Sequence, residues 1–171
     1  MWPRIERIES ARLLLEPISV LHADEMVDVL ADPMLYQHIG GEPPSVEQLR
    51  ARYAALSVGT SRDGSQGWLN WIVKRHNNAA VGYVQATVEH AGDGAAVGLI
   101  ADIAWVVSPD HQGEGLASEG AIAMARWLRS AGVNRFAAYV HPEHRASQGV
   151  ARNVGLHPTG TMFDGEERWE S

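Results

Sequence analysis

Apolar positions along this chain switch between alternating and helical spacing, and the switches divide it into elements. Arg12-Leu-Leu-Leu-Glu-Pro17 predicts a first strand, and His22 to Ala31 has helical spacing through Met26, Val27 and Leu30 until Asp32-Pro33 stops it. Gly40 to Pro44 is a loop. Ser45, with Gln48 three residues on, then forms a capping box for a helix through about Leu56. Beyond a glycine- and serine-rich linker from Ser57 to Gly67, the runs Trp68–Lys74 and Ala80–Val88, separated by Asn77-Asn78, predict a hairpin. Gly92-Asp93-Gly94 turns the chain into a third strand of the meander, Ile100 to Val107, which Ser108-Pro109 ends because proline has no N–H for a ladder. A helix from Ser118 to Ala131, ended by Gly132, leads to a strand from Arg135 to Val140. A shorter helix from about Ala146 to Asn153 is capped by Gly155, and Asp164-Gly165 predicts a final hairpin ending near Trp169. The order β-α-α-β-β-β-α-β-α-β-β predicts an α/β (α+β) fold with a mixed central sheet of about six or seven strands and flanking helices.

Composition narrows the function classes. With 171 residues and 45% hydrophobic content, one domain spanning 1–171 has a full core, and no apolar run approaches bilayer length. The charged first residues do not resemble a signal peptide, so the cytoplasm is the expected location, with no membrane partner. A net charge of −7 argues against a nucleic-acid partner and is compatible with a cationic substrate. The chain has no cysteine, which removes disulfides, thiolate metal sites and a cysteine nucleophile.

Candidate chemistry concentrates between Trp105 and Glu119, where an apolar strand meets a glycine-bearing turn that opens onto a helix. Gly113 and Gly115 allow positive φ and close approach to a ligand, and unpaired N–H groups at the helix start would face an anion. A phosphate loop of the Lys-Ser/Thr type is absent, and the three-glycine dinucleotide fingerprint fits poorly. A tight connection with no ligand is the plain alternative. Gln112-x-x-Gly115-x-Ala117, with its flanking strand and helix, resembles the acyl-CoA pyrophosphate loop of the GCN5-related N-acetyltransferases (GNAT). The element order extends that resemblance over almost the whole chain. Arg12 to Pro17, the Ala31-Asp-Pro33 segment and His141-Pro-Glu-His-Arg-Ala-Ser147 through Gly155-Leu156 are similar to the branch containing the ribosomal-protein acetyltransferases RimJ and RimL.

The resemblance implies acetyl-CoA as co-substrate, no metal, and a primary amine acceptor, either a peptide N-terminus or a small molecule, attacking directly in a ternary complex. A homodimer is an allowed assembly. It implies cofactor contact by Trp105, Val106, Val107, Gln112, Gly113, Glu114, Gly115, Leu116, Ala117 and Ser118, and by His144, where the branch usually has Asn. Histidine can replace one hydrogen bond of an amide but not both of its polar ends. An ammonium must lose a proton before attack, so a carboxylate acting directly or through water is needed, and Asp102 is the candidate. Partial desolvation among Leu99, Ile100 and Ile103 should raise its pKa. A hydrogen-bonded strand residue with no catalytic part is the other account of Asp102.

Backbone N–H groups around Val106 and Val107 would stabilise the developing oxyanion. Ser147 lies where the branch carries a serine near the sulfur, and could instead cap its helix. Tyr139 reads as an amphipathic core residue. His141 and His144 are three apart but separated by a proline from any continuous helix, so they read as a turn rather than a metal site, and His38, His111 and His157 lack partners at ligand spacing. Trp68 and Trp71 fall on opposite faces of one strand, so at least one is free to face a cleft. A non-catalytic acyl-CoA-binding module and a transferase using another acyl-CoA, such as succinyl-CoA, are the rival readings.

Overall fold

The computed structural model describes residues 1–92 and 98–171. Eight strands form one sheet: β1 (Ile8–Glu9), β2 (Leu13–Pro17), β3 (Gly67–Arg75), β4 (Ala80–Ala91), β5 (Gly98–Val107), β6 (Val133–Val140), β7 (His157–Phe163) and β8 (Glu166–Glu170). Their spatial order is β1-β2-β3-β4-β5-β6-β8-β7. The helices are α1 (Ala23–Val29), α2 (Val46–Leu56), α3 (Leu116–Ser130) and α4 (Arg145–Val154). The chain order is the predicted one with one strand added in front, giving eight strands rather than six or seven. Of the predicted turn at Gly92-Asp93-Gly94, only Gly92 falls within the described residues. Among them no helix is long and apolar enough to cross a membrane.

All strand pairs are antiparallel except β5–β6. Parallel neighbours need a crossover, and α3 supplies it. Leu116, Gly120, Ala121, Met124, Ala125 and Leu128 make its buried stripe at helical spacing. With Val150, Ala151 and Val154 of α4, this stripe packs on the larger core, which contains Leu13, Leu15, Trp71, Val84 and Phe136. The smaller core lies on the opposite sheet face, where Ala23, Met26, Leu30, Leu49 and Tyr53 cover Ile72 and Ala80. Trp71 is in the larger core and donates its indole N–H to the Glu6 carbonyl at 2.7 Å. Trp68 is half-buried and bonds Gln66, so neither tryptophan lines the cleft described below.

Local signals explain most boundaries. Ser45 and Gln48 exchange the two capping-box bonds, at 3.2 and 2.9 Å. Gly155 takes φ 100° at the end of α4, and Asp164 and Gly165, at φ 49° and 81°, close the last hairpin. Helix α1 is shorter than its apolar pattern: it starts one residue late, after a separate 3-10 turn at Val20–His22, and ends at Val29 with Leu30 as its C-cap.

The pairing of β4 with β5 runs from Gly82↔Val107 to Ala91↔Gly98. At its end the backbones come very close: a Cβ on Gly82 would stand 1.9 Å from the Val106 carbonyl oxygen. Gly82→Ala should therefore force a backbone shift costing about 3 kcal/mol, near the upper end for overpacking. This would appear as a fall of roughly 10 °C in Tm on thermal unfolding. An unchanged Tm would show that the strands can part there freely.

Candidate active site

The site begins where two strands part. β5 and β6 pair from Leu99↔Val133 to Asp102↔Ala137 and no further, while β6 continues beside β8 to Val140↔Glu167. Ile103 to Val107 thus keeps β4 on one side and has no strand on the other. A cavity of about 540 Å³ opens along this edge. Lining it are Asp102, Trp105, Val106, Val107, Gln112, Gly113, Gly115, Leu116, Ala117, Ser118, His144 and Ser147. Every residue expected at the site is brought to this one cavity except Glu114, which is turned away from it.

The loop after β5 explains that exception. A 3-10 turn at Pro109–His111 leads to Gly113 and Gly115, with φ of 80° and 78°, and Gly115 is the N-cap of α3. The Gln112 amide N–H donates to Pro109 and its side chain to the Val107 carbonyl at 3.0 Å. Gln112 therefore fastens the loop to the strand end and does not offer its backbone N–H to an anion. The N–H groups of Gly113 through Ser118 donate to no group among the described residues, and those of the first helical turn have no acceptor within the helix. A run of free amides at a helix start fits a pyrophosphate.

Arg12, Arg75 and Glu119, none of them among the expected site residues, hold this loop. Arg12 donates to the Glu114 carbonyl at 2.9 Å and to Glu119 at 2.7 Å, and Glu119 also accepts from Ser10 at 2.6 Å. Burial opposes ionisation of Glu119, but these bonds outweigh it and hold its pKa below the ordinary range. Arg75 pairs with the Glu114 carboxylate at 2.6 Å and reaches His111 Nδ1 at 3.3 Å. Partners this remote in sequence give no local signal.

Asp102 lies on the sheet face of Tyr83 and Thr87, its register partner being Thr87. Leu99 and Ile103 therefore point to the other face, and of the expected neighbours only Ile100 shares its side. Burial raises its pKa, against the opposing charge of Arg168, whose Nη1 stands 3.5 Å from the carboxylate. The same guanidinium donates to the Tyr139 hydroxyl at 2.8 Å and to Glu170 at 2.7 Å. Tyr139 is exposed and bonded to Arg168, not a core residue. Its apolar pattern misleads because its face of β6 is left uncovered by helix.

Ser147 is the third residue of α4, whose N-cap is His144. It therefore does not cap the helix. Its Oγ accepts from the Trp105 indole N–H at 3.3 Å, so a strand side chain crosses the gap to the helix on its far side. That bond occupies an acceptor position of the hydroxyl and leaves its proton free to be donated elsewhere.

His144 stacks on His38 with ring centroids 4.7 Å apart, and His38 also lies 5.0 Å from His141. Burial, then the charges of His38 and His141, lower the His144 pKa, which favours the neutral ring at neutral pH. Among the described residues no group of His, Asp or Glu is arranged to hold a metal ion.

The model of the acetyltransferase (GNAT) domain matches residues 12–157. The chain belongs to the GNAT acetyltransferase family. Its members are N-acetyltransferases, and the enzyme class follows. No curated protein matches the chain by sequence. Solved structures similar to it include a GNAT-family acetyltransferase from Bacillus anthracis, at 19% identity and TM-score 0.73 over 96% of both chains. Another is RimL, a ribosomal L7/L12 α-N-protein acetyltransferase in complex with coenzyme A, at 17% identity and TM-score 0.76 over 97% of both chains. A third is the microcin C7 self-immunity acetyltransferase in complex with acetyl-CoA and AMP, at 12% identity and TM-score 0.75 over 95% of this chain and 93% of that one. At these identities the likeness is one of fold.

For this GNAT chain the loop geometry gives a direct expectation. Valine at position 115 is β-branched and disfavoured at φ 78°, and its Cβ would stand 3.6 Å from Arg12 Nη2. Gly115→Val should weaken coenzyme A binding at least tenfold by calorimetry while the far-ultraviolet circular dichroism stays that of the parent. A folded variant that binds as tightly as the parent would remove the loop from the cofactor site.

Proposed function

We propose that this protein is an acetyl-CoA-dependent N-acetyltransferase of RimL-like type, acting on a primary amine by direct attack in a ternary complex. The observation that carries the reading is the single cavity in which the unpaired edge of β5, the free amides of Gly113–Ser118, Asp102 and Ser147 meet. The reading includes one transferase domain over residues 1–171, whose sheet takes strands from both ends of the chain, and a cytoplasmic site of action.

The amides of Gly113 to Ser118 hold the pyrophosphate, and the pantetheine arm lies along Trp105 to Val107 in the gap, where the edge of β5 can bond its amides. His144 stands at the rim of this arm as a neutral ring. The amine nitrogen forms a bond to the thioester carbonyl carbon, the oxyanion accepts from a backbone N–H near Val106 or Val107, and collapse expels the thiolate. Ser147 donates its free proton toward that sulfur, oriented by Trp105.

Asp102 removes the ammonium proton through water. Four residues of strand separate it from Val106, roughly 13 Å at 3.3 Å per residue, which is too far for direct contact with an amine at that carbonyl. Its raised pKa makes it a better proton acceptor than an ordinary aspartate, and Arg168 limits the rise while fixing the carboxylate's position.

Two outcomes follow. Asp102→Asn should lower kcat/KM about 10²–10⁴-fold at neutral pH with acetyl-CoA affinity unchanged. The parent's rate should fall as pH drops through the raised Asp102 pKa, because only the carboxylate accepts a proton, and the variant should lack that limb. Its deficit should shrink as pH rises toward the amine's own pKa. A pH–rate profile overlaying the parent's at every pH would place the base elsewhere. Ser147→Ala should lower kcat with the acetyl-CoA Kd and Tm little changed, since the help comes in the transition state; unchanged kcat would leave the serine a packing role. The activity itself is tested by thiol release from acetyl-CoA, and from succinyl-CoA, against a panel of primary amines. Binding of coenzyme A with no thiol release from either would identify a binding module instead.

A further inference from the structure

Beside the acyl-transfer cleft lies a second chamber, of about 520 Å³, within the range of small-ligand pockets. Its walls come from the segment between α1 and α2 and from α2 itself, with Tyr36, Glu42, Gln48 and Arg52 among them. Leu35, Ile39, Tyr83 and Val106 line both spaces. Tyr83 and Val106 are register partners on β4 and β5. The chamber therefore opens off the cleft at Val106, next to the strand end proposed to hold the acyl carbonyl, which leaves room there for the skeleton of an attacking amine.

Arg52 is the chamber's cation. Among the described residues it makes no ion pair or hydrogen bond, although Glu42 lines the same space. Arg50, two residues earlier and roughly 200° round the helix, is by contrast paired with Asp24. The Arg52 charge reaches three phenols, opposing the upward push of burial on Tyr36, Tyr53 and Tyr83. Tyr53 is still pushed up to about 12, and its hydroxyl is buried with no hydrogen-bond partner among the described residues. An arginine kept free beside an aromatic pocket has its planar fork available for a carboxylate. The cleft itself has carboxylates, Asp102 and Glu166, and, among the described residues, no arginine or lysine in its lining.

Resting on the transferase reading above, we infer that the acceptor is a primary amine whose own skeleton carries a carboxylate, and that Arg52 seats this carboxylate in the chamber while the amine faces the acyl carbonyl near Val106. Glu42 makes the chamber unwelcoming to a bare anion and favours an acceptor that also brings hydrogen-bond donors. Two sources share this chemistry: a free amino acid, and a peptide N-terminus with an acidic side chain close behind it.

The test uses acceptors in pairs that differ only as carboxylate and carboxamide, with acetyl-CoA and thiol release as the readout. One arm compares free amino acids with their amides. The other compares short C-terminally amidated peptides beginning Ser-Asp with the same peptides beginning Ser-Asn. In at least one arm the carboxylate member should be preferred about tenfold or more in kcat/KM, the scale of a charge-assisted hydrogen bond. The arm that shows the preference identifies the source. Arg52→Gln should bring the ratio close to one with Tm unchanged, because the side chain is exposed on α2, whereas Arg50→Gln should leave the ratio intact. Equal rates within both pairs, or a preference that survives Arg52→Gln, would overturn the inference and leave the transferase reading standing. No thiol release from any acceptor would overturn the transferase reading and this inference with it.

Discussion

The site depends on one interruption of hydrogen bonding: β5 loses β6 after Asp102 while β4 holds it along its whole length. Backbone groups left without partners are costly when buried, at roughly 1–3 kcal/mol each, so an open strand edge inside a fold persists only if water or a ligand can reach it. Here a cavity runs along the edge. Several contacts keep it open. Gln112 bonds the Val107 carbonyl, Ser108 N–H bonds Val81 at 2.8 Å, and the Trp105 indole spans the gap to Ser147. On the other side, Gly82 lets β4 approach Val106 more closely than any side chain would permit.

Electrostatics are divided along the same cleft. Although the chain carries a net charge of −7, two arginines bracket the loop proposed for the pyrophosphate. Both are already engaged, Arg12 with Glu119 and the Glu114 carbonyl and Arg75 with the Glu114 carboxylate, so they act first as braces that fix the free amides in place. Farther along, Asp102 and Glu166 are both pushed toward higher pKa by burial. This suits the proton-accepting role proposed for Asp102.

Features set by local chemistry were readable from the sequence. The capping box at Ser45, the turns at Asn77-Asn78, Gly155 and Asp164-Gly165, and the glycine loop before α3 each depend on a few adjacent residues. The predicted element order, read from apolar spacing, recurs intact. The added strand, Ile8–Glu9, is two residues long and too short for any alternation to show. What escaped was set by the fold. The Arg12–Glu119 pair joins residues 107 apart, and Arg168 reaches Asp102 across 66. His38 meets His144 only because the loop after α1 and the loop before α4 converge on one rim. The Ser147 alternatives are separated by the cap itself: α4 begins at Arg145 with His144 as its N-cap, which leaves the serine inside the first turn.

The central claim is that the open edge of β5 and the amides after it receive the cofactor. Backbone amide NMR of the isotope-labelled protein, titrated with acetyl-CoA, tests it residue by residue. The account predicts the largest shifts at Gly113, Gly115, Leu116, Ala117 and Ser118, with a second group at Trp105 to Val107. Gln112, whose N–H is already bonded, should change less than its neighbours. Largest shifts instead on α2 and the segment before it, with Gly113 to Ser118 unmoved, would contradict the account.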